Sequence, residues 1–133
     1  MRERLKKVER IMSVQAKLHR LAEAKLAALD REQDAVDKDS ASLVDALNRD
    51  DPLHGIFVEA MAKRLKALAR EADRLKHEQA AQSRRLTEAG LLLRRTERMT
   101  DKVRREYLKE LGKRGFGDFL DTLARTDDDA SLP

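Results

Sequence analysis

Apolar positions in the first third of the chain recur every three or four residues. Leu5, Val8, Met12, Gln15, His19, Ala22, Leu26, Leu29, Gln33, Val36, Ser40, Leu43 and Leu47 step alternately by three and four, and nine of these thirteen are apolar. That spacing lays them along one narrow helix face, the seam of a coiled coil carried for six heptads. Neither Pro nor Gly interrupts residues 5–47, and Ile11, Leu18 and Val44 widen the face locally. Asn48-Arg49-Asp50-Asp51-Pro52 then ends the pattern. Asp51 suits a helix N-cap and Pro52 a first helical residue. The alternation returns in Val58, Met61, Leu65, Leu68, Ala72, Leu75, Gln79, Gln82, Leu86, Ala89, Leu93, Thr96, Thr100, Val103 and Tyr107, and Gly112 fits a C-terminal stop. The pattern predicts one helix over about 3–48, a turn at 49–52 and a second helix over about 52–111. Gly55 offers an alternative start for the second.

A helix with a single apolar seam must cover it, and the nearest cover is the other helix of the same chain. A turn of a few residues makes the two run antiparallel. The expected fold is therefore all-α: an antiparallel two-helix coiled-coil hairpin over residues 1–112. Two alignments set seam on seam. One pairs residue numbers that sum to 101, with Val36 on Leu65 and Leu26 on Leu75. The other pairs numbers that sum to 108, with Leu43 on Leu65 and Gln15 on Leu93. The Asp51-Pro52 chemistry favours the tighter turn and hence the first.

Residues 113–133 read as a separate piece. Lys113-Arg114-Gly115-Phe116-Gly117 is expected to be a flexible joint, followed by a short amphipathic helix with Asp118 as cap and Phe119, Leu120 and Leu123 on one face. So short a helix is unstable alone, so it either folds back on the hairpin or docks in a partner's groove. Thr126-Asp127-Asp128-Asp129-Ala130-Ser131-Leu132-Pro133 reads as a disordered acidic end.

Polar residues soften the seam: Gln15, His19, Gln33 and Ser40 in the first helix, Gln79, Gln82, Thr96 and Thr100 in the second. Such residues lower stability and fix register. Either they are partly solvated at little cost, or they make a soft stalk that repacks on a partner. Gly90, inside the second helix, points the same way, since a helical Gly costs about 1 kcal/mol relative to Ala.

Composition sharpens this picture. Charged residues make up 41% of the chain, aromatics 3%, and Trp and Cys are absent. An aromatic-rich globular core is excluded, and the balance is that of long helices. Without cysteine there is neither a disulfide framework nor thiolate chemistry, which fits a reducing compartment. No apolar run approaches the roughly 20 residues that span a bilayer. The basic start, Met1-Arg2-Glu3-Arg4-Leu5-Lys6-Lys7, leads into no apolar signal region. A soluble, cytoplasmic protein is expected.

The net charge of +4 is unevenly spread. Residues 1–20 carry +5, 21–51 carry −5, 52–83 carry +2, 84–114 carry +6 and 115–133 carry −4. An antiparallel hairpin brings the first and fourth blocks together as one basic base. It also sets Asp30, Glu32, Asp34, Asp37 and Asp39 beside Lys63, Arg64, Lys66, Arg70 and Arg74, where opposite charges favour the alignment modestly. The basic base has no such internal use.

Candidate chemistry is sparse. There is no phosphate-binding Gly-rich loop. His77-Glu78-Gln79-Ala80-Ala81 opens like a zinc-helix motif but lacks its second His. His19, His54 and His77 are far apart in sequence, and His19 falls on the seam as a structural polar residue. No nucleophile is paired with a base, so no cofactor or metal is expected and the chain reads as a non-enzyme.

An N-terminal helix opening Arg4-Leu5-Lys6-Lys7-Val8, an antiparallel return helix and an Arg-rich stretch from Arg84-Arg85 to Arg104-Arg105 give residues 1–112 a form that resembles the FliJ/YscO family. These are stalk and chaperone-like proteins of flagellar and type III secretion ATPases. The resemblance implies a non-enzymatic part of a protein export apparatus, cytoplasmic or peripheral to the membrane there. Its paired ends would enter a hexameric export ATPase, and its tip would reach the membrane export gate. By that resemblance Arg2, Arg4, Lys6, Lys7, Arg94, Arg95, Arg98, Arg104 and Arg105 would meet the ATPase, and Leu53, Ile56 and Phe57 the gate. Phe116 and Phe119, outside the resemblance, are further candidate partner contacts.

Two other functions fit the pattern. A basic coiled coil can bind nucleic acid through phosphates, although Glu88, Glu97, Asp101, Glu106 and Glu110 interleave the arginines and Tyr107 is the one stacking aromatic nearby. A dimerising helical scaffold would cover its wider apolar faces at Ile11 and Leu18 and at Leu91 and Leu92 with a second hairpin.

Overall fold

The computed structural model describes residues 1–49 and 54–130, apart from the side chains of His54 and of residues 127–130. Two long α-helices, α1 (Arg2–Leu47) and α2 (His54–Ala130), pack against each other as an all-α two-helix hairpin. After α1 the backbone closes one further turn, with the Asn48 amide donating to the Val44 carbonyl at 3.1 Å. The expected roles of Asp51, Pro52 and Leu53 lie outside the described residues.

Two compact units divide the chain. One is Met1–Ala16 with Leu92–Pro133, and the other is Lys17–Leu91. Within each, the buried residues among those described are seam residues. Val8, Thr96, Thr100 and Val103 are buried in the first, and Leu29, Leu68, Leu75 and Gln82 in the second. The other seam positions are half-buried, except Val58, which is 37% exposed.

The register corrects the sequence-based choice. In the unit Lys17–Leu91, Gln79 donates to Asp30 at 2.9 Å and Gln82 to the Ala22 carbonyl at 3.1 Å. His19 lies against Gly90. In the other unit, Thr96 donates to Gln15, and Arg104 reaches Glu9 at 3.2 Å. These pairings follow the second alignment, with Gln79 beside Leu29 and Asp30, rather than the first, which would set it on Ala22. Turn chemistry favoured the first; packing along the seam decided for the second. One consequence is that the first turns of α2 outrun the end of α1. Residues 55–60 are exposed, with Ile56 at 71% and Phe57 at 52%, and Val58 shares their exposure.

The predicted stop at Gly112 is also corrected. α2 continues through Lys113, Phe116 and Phe119 to Ala130, so there is neither a joint at 113–117 nor a separate capped helix, and residues 126–130 are helical rather than disordered. No glycine adopts a positive φ, so the left-handed cap that would have ended the helix does not form. Without that cap or a proline, Gly costs helical free energy but does not break the ladder. Thr122 and Thr126 donate to the carbonyls of Asp118 and Thr122, each at 2.9 Å, inside that ladder. Phe116 and Phe119 do not fold back: they are 63% and 58% exposed.

Polar seam residues are bonded differently from one another. Thr100 is fully buried and returns its hydroxyl to the Thr96 carbonyl at 2.7 Å. Gln82 spends its amide on α1. Gln33 gives its amide to Asp37 at 3.0 Å while its own carbonyl oxygen is buried with no hydrogen-bond partner among the described residues.

Candidate functional site

The unit formed by Met1–Ala16 and Leu92–Pro133 holds most of the two basic blocks. Residues 1–16 and 92–114 carry fourteen Lys/Arg against six Asp/Glu. The fold sorts these cations into two groups.

The first group is neutralised between and along the helices. Arg4 pairs with Glu106 at 3.6 Å and Arg104 with Glu9 at 3.2 Å, both from one helix to the other. Arg104 also approaches Asp101 at 3.7 Å, and Arg114 pairs with Glu110 at 2.9 Å. These pairs occupy four of the six acidic residues, Glu9, Asp101, Glu106 and Glu110. They are exposed and worth about 0–1 kcal/mol each, but they fix where the negative charge goes.

The second group is left over. At 3.6 residues per turn, Arg94, Arg95, Arg98, Lys102, Arg105, Lys109 and Lys113 fall within an arc of about 100° on one side of α2. The buried Thr96, Thr100 and Val103 lie about half a turn away, so the cationic arc is the outer face. All seven are exposed. None makes an ion pair among the described residues, although Arg105 donates to the Asp101 carbonyl at 3.4 Å. The arc extends for ~28 Å at 1.5 Å per residue. Like charges at i,i+4 repel by a few tenths of a kcal/mol, and aligned in one row they focus a positive potential that attracts an acidic surface.

The candidate residues are placed as follows. Arg94, Arg95, Arg98 and Arg105 belong to the outer face, whereas Arg4 and Arg104 are engaged in ion pairs. Lys6 and Lys7 are exposed on α1, and Arg2 lines a shallow cleft of about 430 Å³ with Met1, Glu3, Tyr107, Glu110, Leu111 and Arg114. Ile56 and Phe57 are exposed in the other unit, and Leu53 lies outside the described residues. Lys102, Lys109 and Lys113 escaped attention in the sequence; the three-and-four spacing that links them to Arg98 and Arg105 was the available signal.

In the unit Lys17–Leu91, the expected cross-helix charge pairing is not seen among the described residues. Arg74 instead pairs with Glu71 and Glu78 on its own helix. Partners three and four residues away are already in reach and need no particular register. The hydrogen bond from Arg74 holds the Glu71 carboxyl below its ordinary pKa, and Glu71 in turn raises that of Arg74.

Among the described residues no group of three His, Cys, Asp or Glu is placed to hold a metal ion, and no helix is long and apolar enough to cross a membrane. No family model, curated protein or solved structure matches the chain.

Proposed function

We propose that the chain is a non-enzymatic stalk and chaperone-like component of a flagellar or type III protein export apparatus. It binds a hexameric export ATPase through the outer cationic face of α2 and couples it to the export gate. One observation carries this reading: Glu9, Asp101, Glu106 and Glu110 pair with Arg4, Arg104 and Arg114, while seven exposed cations stand in one row without an ion pair among the described residues. A narrow helical pair with a row of unneutralised charge suits docking against an acidic wall, where complementary potentials guide encounter. Exposed Ile56 and Phe57 supply an apolar contact for the gate. The resemblance to FliJ/YscO proteins supports the same assignment.

Nucleic acid is favoured less. The seven cations would attract phosphates, but Tyr107, the one aromatic within residues 94–113, lies half-buried on the seam, away from the cationic arc, so no aromatic interleaves the cations for bases to stack on.

The test is direct. The protein is added to a purified export ATPase, and turnover and hexamer fraction are followed. Both rise with the wild-type chain, and the gain shrinks as salt increases. Reversing Arg94, Arg98 and Arg105 together to Glu abolishes the gain without lowering the melting temperature, because none of the three pairs with an acid. Equal stimulation by that triple variant overturns the assignment of the face.

A further inference from the structure

We propose that the C-terminal stretch of α2 is a self-association helix, pairing antiparallel with the same stretch of a second copy of this chain. α2 passes beyond its cover. Its last described contacts with α1 are at Glu106, paired with Arg4, and in the cleft that joins Met1, Arg2 and Glu3 to Tyr107, Glu110, Leu111 and Arg114. Beyond Arg114 the helix continues to Ala130, and of residues 115–126 all but the half-buried Gly117 are exposed.

This stretch is not a uniformly polar overhang. Phe116, Phe119, Leu120 and Leu123 are 63%, 58%, 48% and 45% exposed, and their spacing puts them on one helix face. Asp118 and Asp121 fall on the opposite side. Gly112 lies on the apolar face and is exposed, and a Cβ built there meets nothing within 4 Å, so the helix backbone is open to close approach from outside. Three glycines within six residues disfavour an isolated helix, so cover on the apolar face is what holds it.

Charge selects the occupant and its direction. Lys109, Lys113 and Arg114 precede the apolar face, whereas the sequence that follows it runs Asp127-Asp128-Asp129. Parallel copies would set like charge on like charge. Antiparallel copies related by a two-fold axis set the cationic end of each against the acidic end of the other, which is the self-complementarity an isologous contact requires. In that arrangement Leu123 of the second copy lies over Gly112, and Phe116 packs on Phe119 and Leu120 of the second copy. Four apolar side chains per copy bury less than the ~1,200 Å² typical of stable interfaces, so the dimer is weak and concentration-dependent.

Sedimentation equilibrium of the full chain from about 10 μM to about 1 mM tests this, a range suited to weak association. The mass climbs from 15.2 kDa toward twice that value, and Phe119→Asp or Leu123→Asp holds it at the single-chain value with the thermal melt of the hairpin unchanged. The chain has no cysteine, so introduced ones report cleanly. Under oxidation a mixture of Lys113→Cys and Ala124→Cys gives mixed disulfide dimers, while Lys113→Cys by itself gives few. A constant single-chain mass at about 1 mM overturns the proposal. So does dimerisation unaffected by Phe119→Asp, which would move the contact elsewhere, and so does self-crosslinking of Lys113→Cys equal to that of the mixture, which would make the pairing parallel.

Discussion

Gly90 is a glycine that the fold does not require. It lies in mid-helix, with an ordinary negative φ, facing His19. A methyl group built on it would stand 3.5 Å from Nε2 and 3.7 Å from Cδ2 of that ring, which is van der Waals contact and not a clash. His19 itself is held from its other side, Nδ1 lying 2.9 Å from Glu23. Gly90→Ala therefore gains the helix propensity of Ala, about 0.8–1.0 kcal/mol, and a few contacts of about 0.1–0.2 kcal/mol per atom pair. The net expectation is a stabilisation of about 1 kcal/mol. For a chain of 133 residues that raises the midpoint of the thermal transition by about 4 °C. Circular dichroism at 222 nm reads it, and the propensity part of the gain persists in a His19→Ala background. A melting temperature lowered by Gly90→Ala would refute the reasoning, for it would mean that the helices approach more closely there than 3.5 Å.

Two further outcomes follow from the seam and its flanks. Gln33→Leu replaces a buried carbonyl oxygen that has no partner among the described residues. Removing that desolvated group should stabilise by about 1 kcal/mol, whereas a denaturation midpoint unchanged or lowered would show that the oxygen is satisfied. Glu71, whose carboxyl is held below its ordinary pKa by Arg74, contributes stability that is present above the ordinary carboxylate range and is lost as pH falls through its depressed value. Melting temperatures between neutral and acid pH should thus fall less steeply in Glu71→Gln than in the wild type; an identical slope would remove Glu71 from the acid response.

The sequence by itself determined the two long helices of the hairpin and which residues lie between them. Every buried residue among the described ones stands in one of the two seams, because a three-and-four alternation of Leu, Val and small residues admits one helical face and no other. The position of Gln82 and Thr100 inside that face was legible for the same reason, polar though they are. The register was not legible. It depends on how knobs of one helix seat in the other over many turns, and Asp51 and Pro52 gave a local preference that this sum outweighed. Nor was the end of α2: Gly112 is compatible with a cap and with a continuous helix, and only the backbone conformation distinguishes them. The sorting of cations is the third case. Arg94 and Arg104 look alike along the chain. Only the fold shows that Arg104 meets Glu9, ninety-five residues away, while Arg94 is exposed and makes no ion pair among the described residues, since a cross-helix pair depends on what the other helix brings alongside.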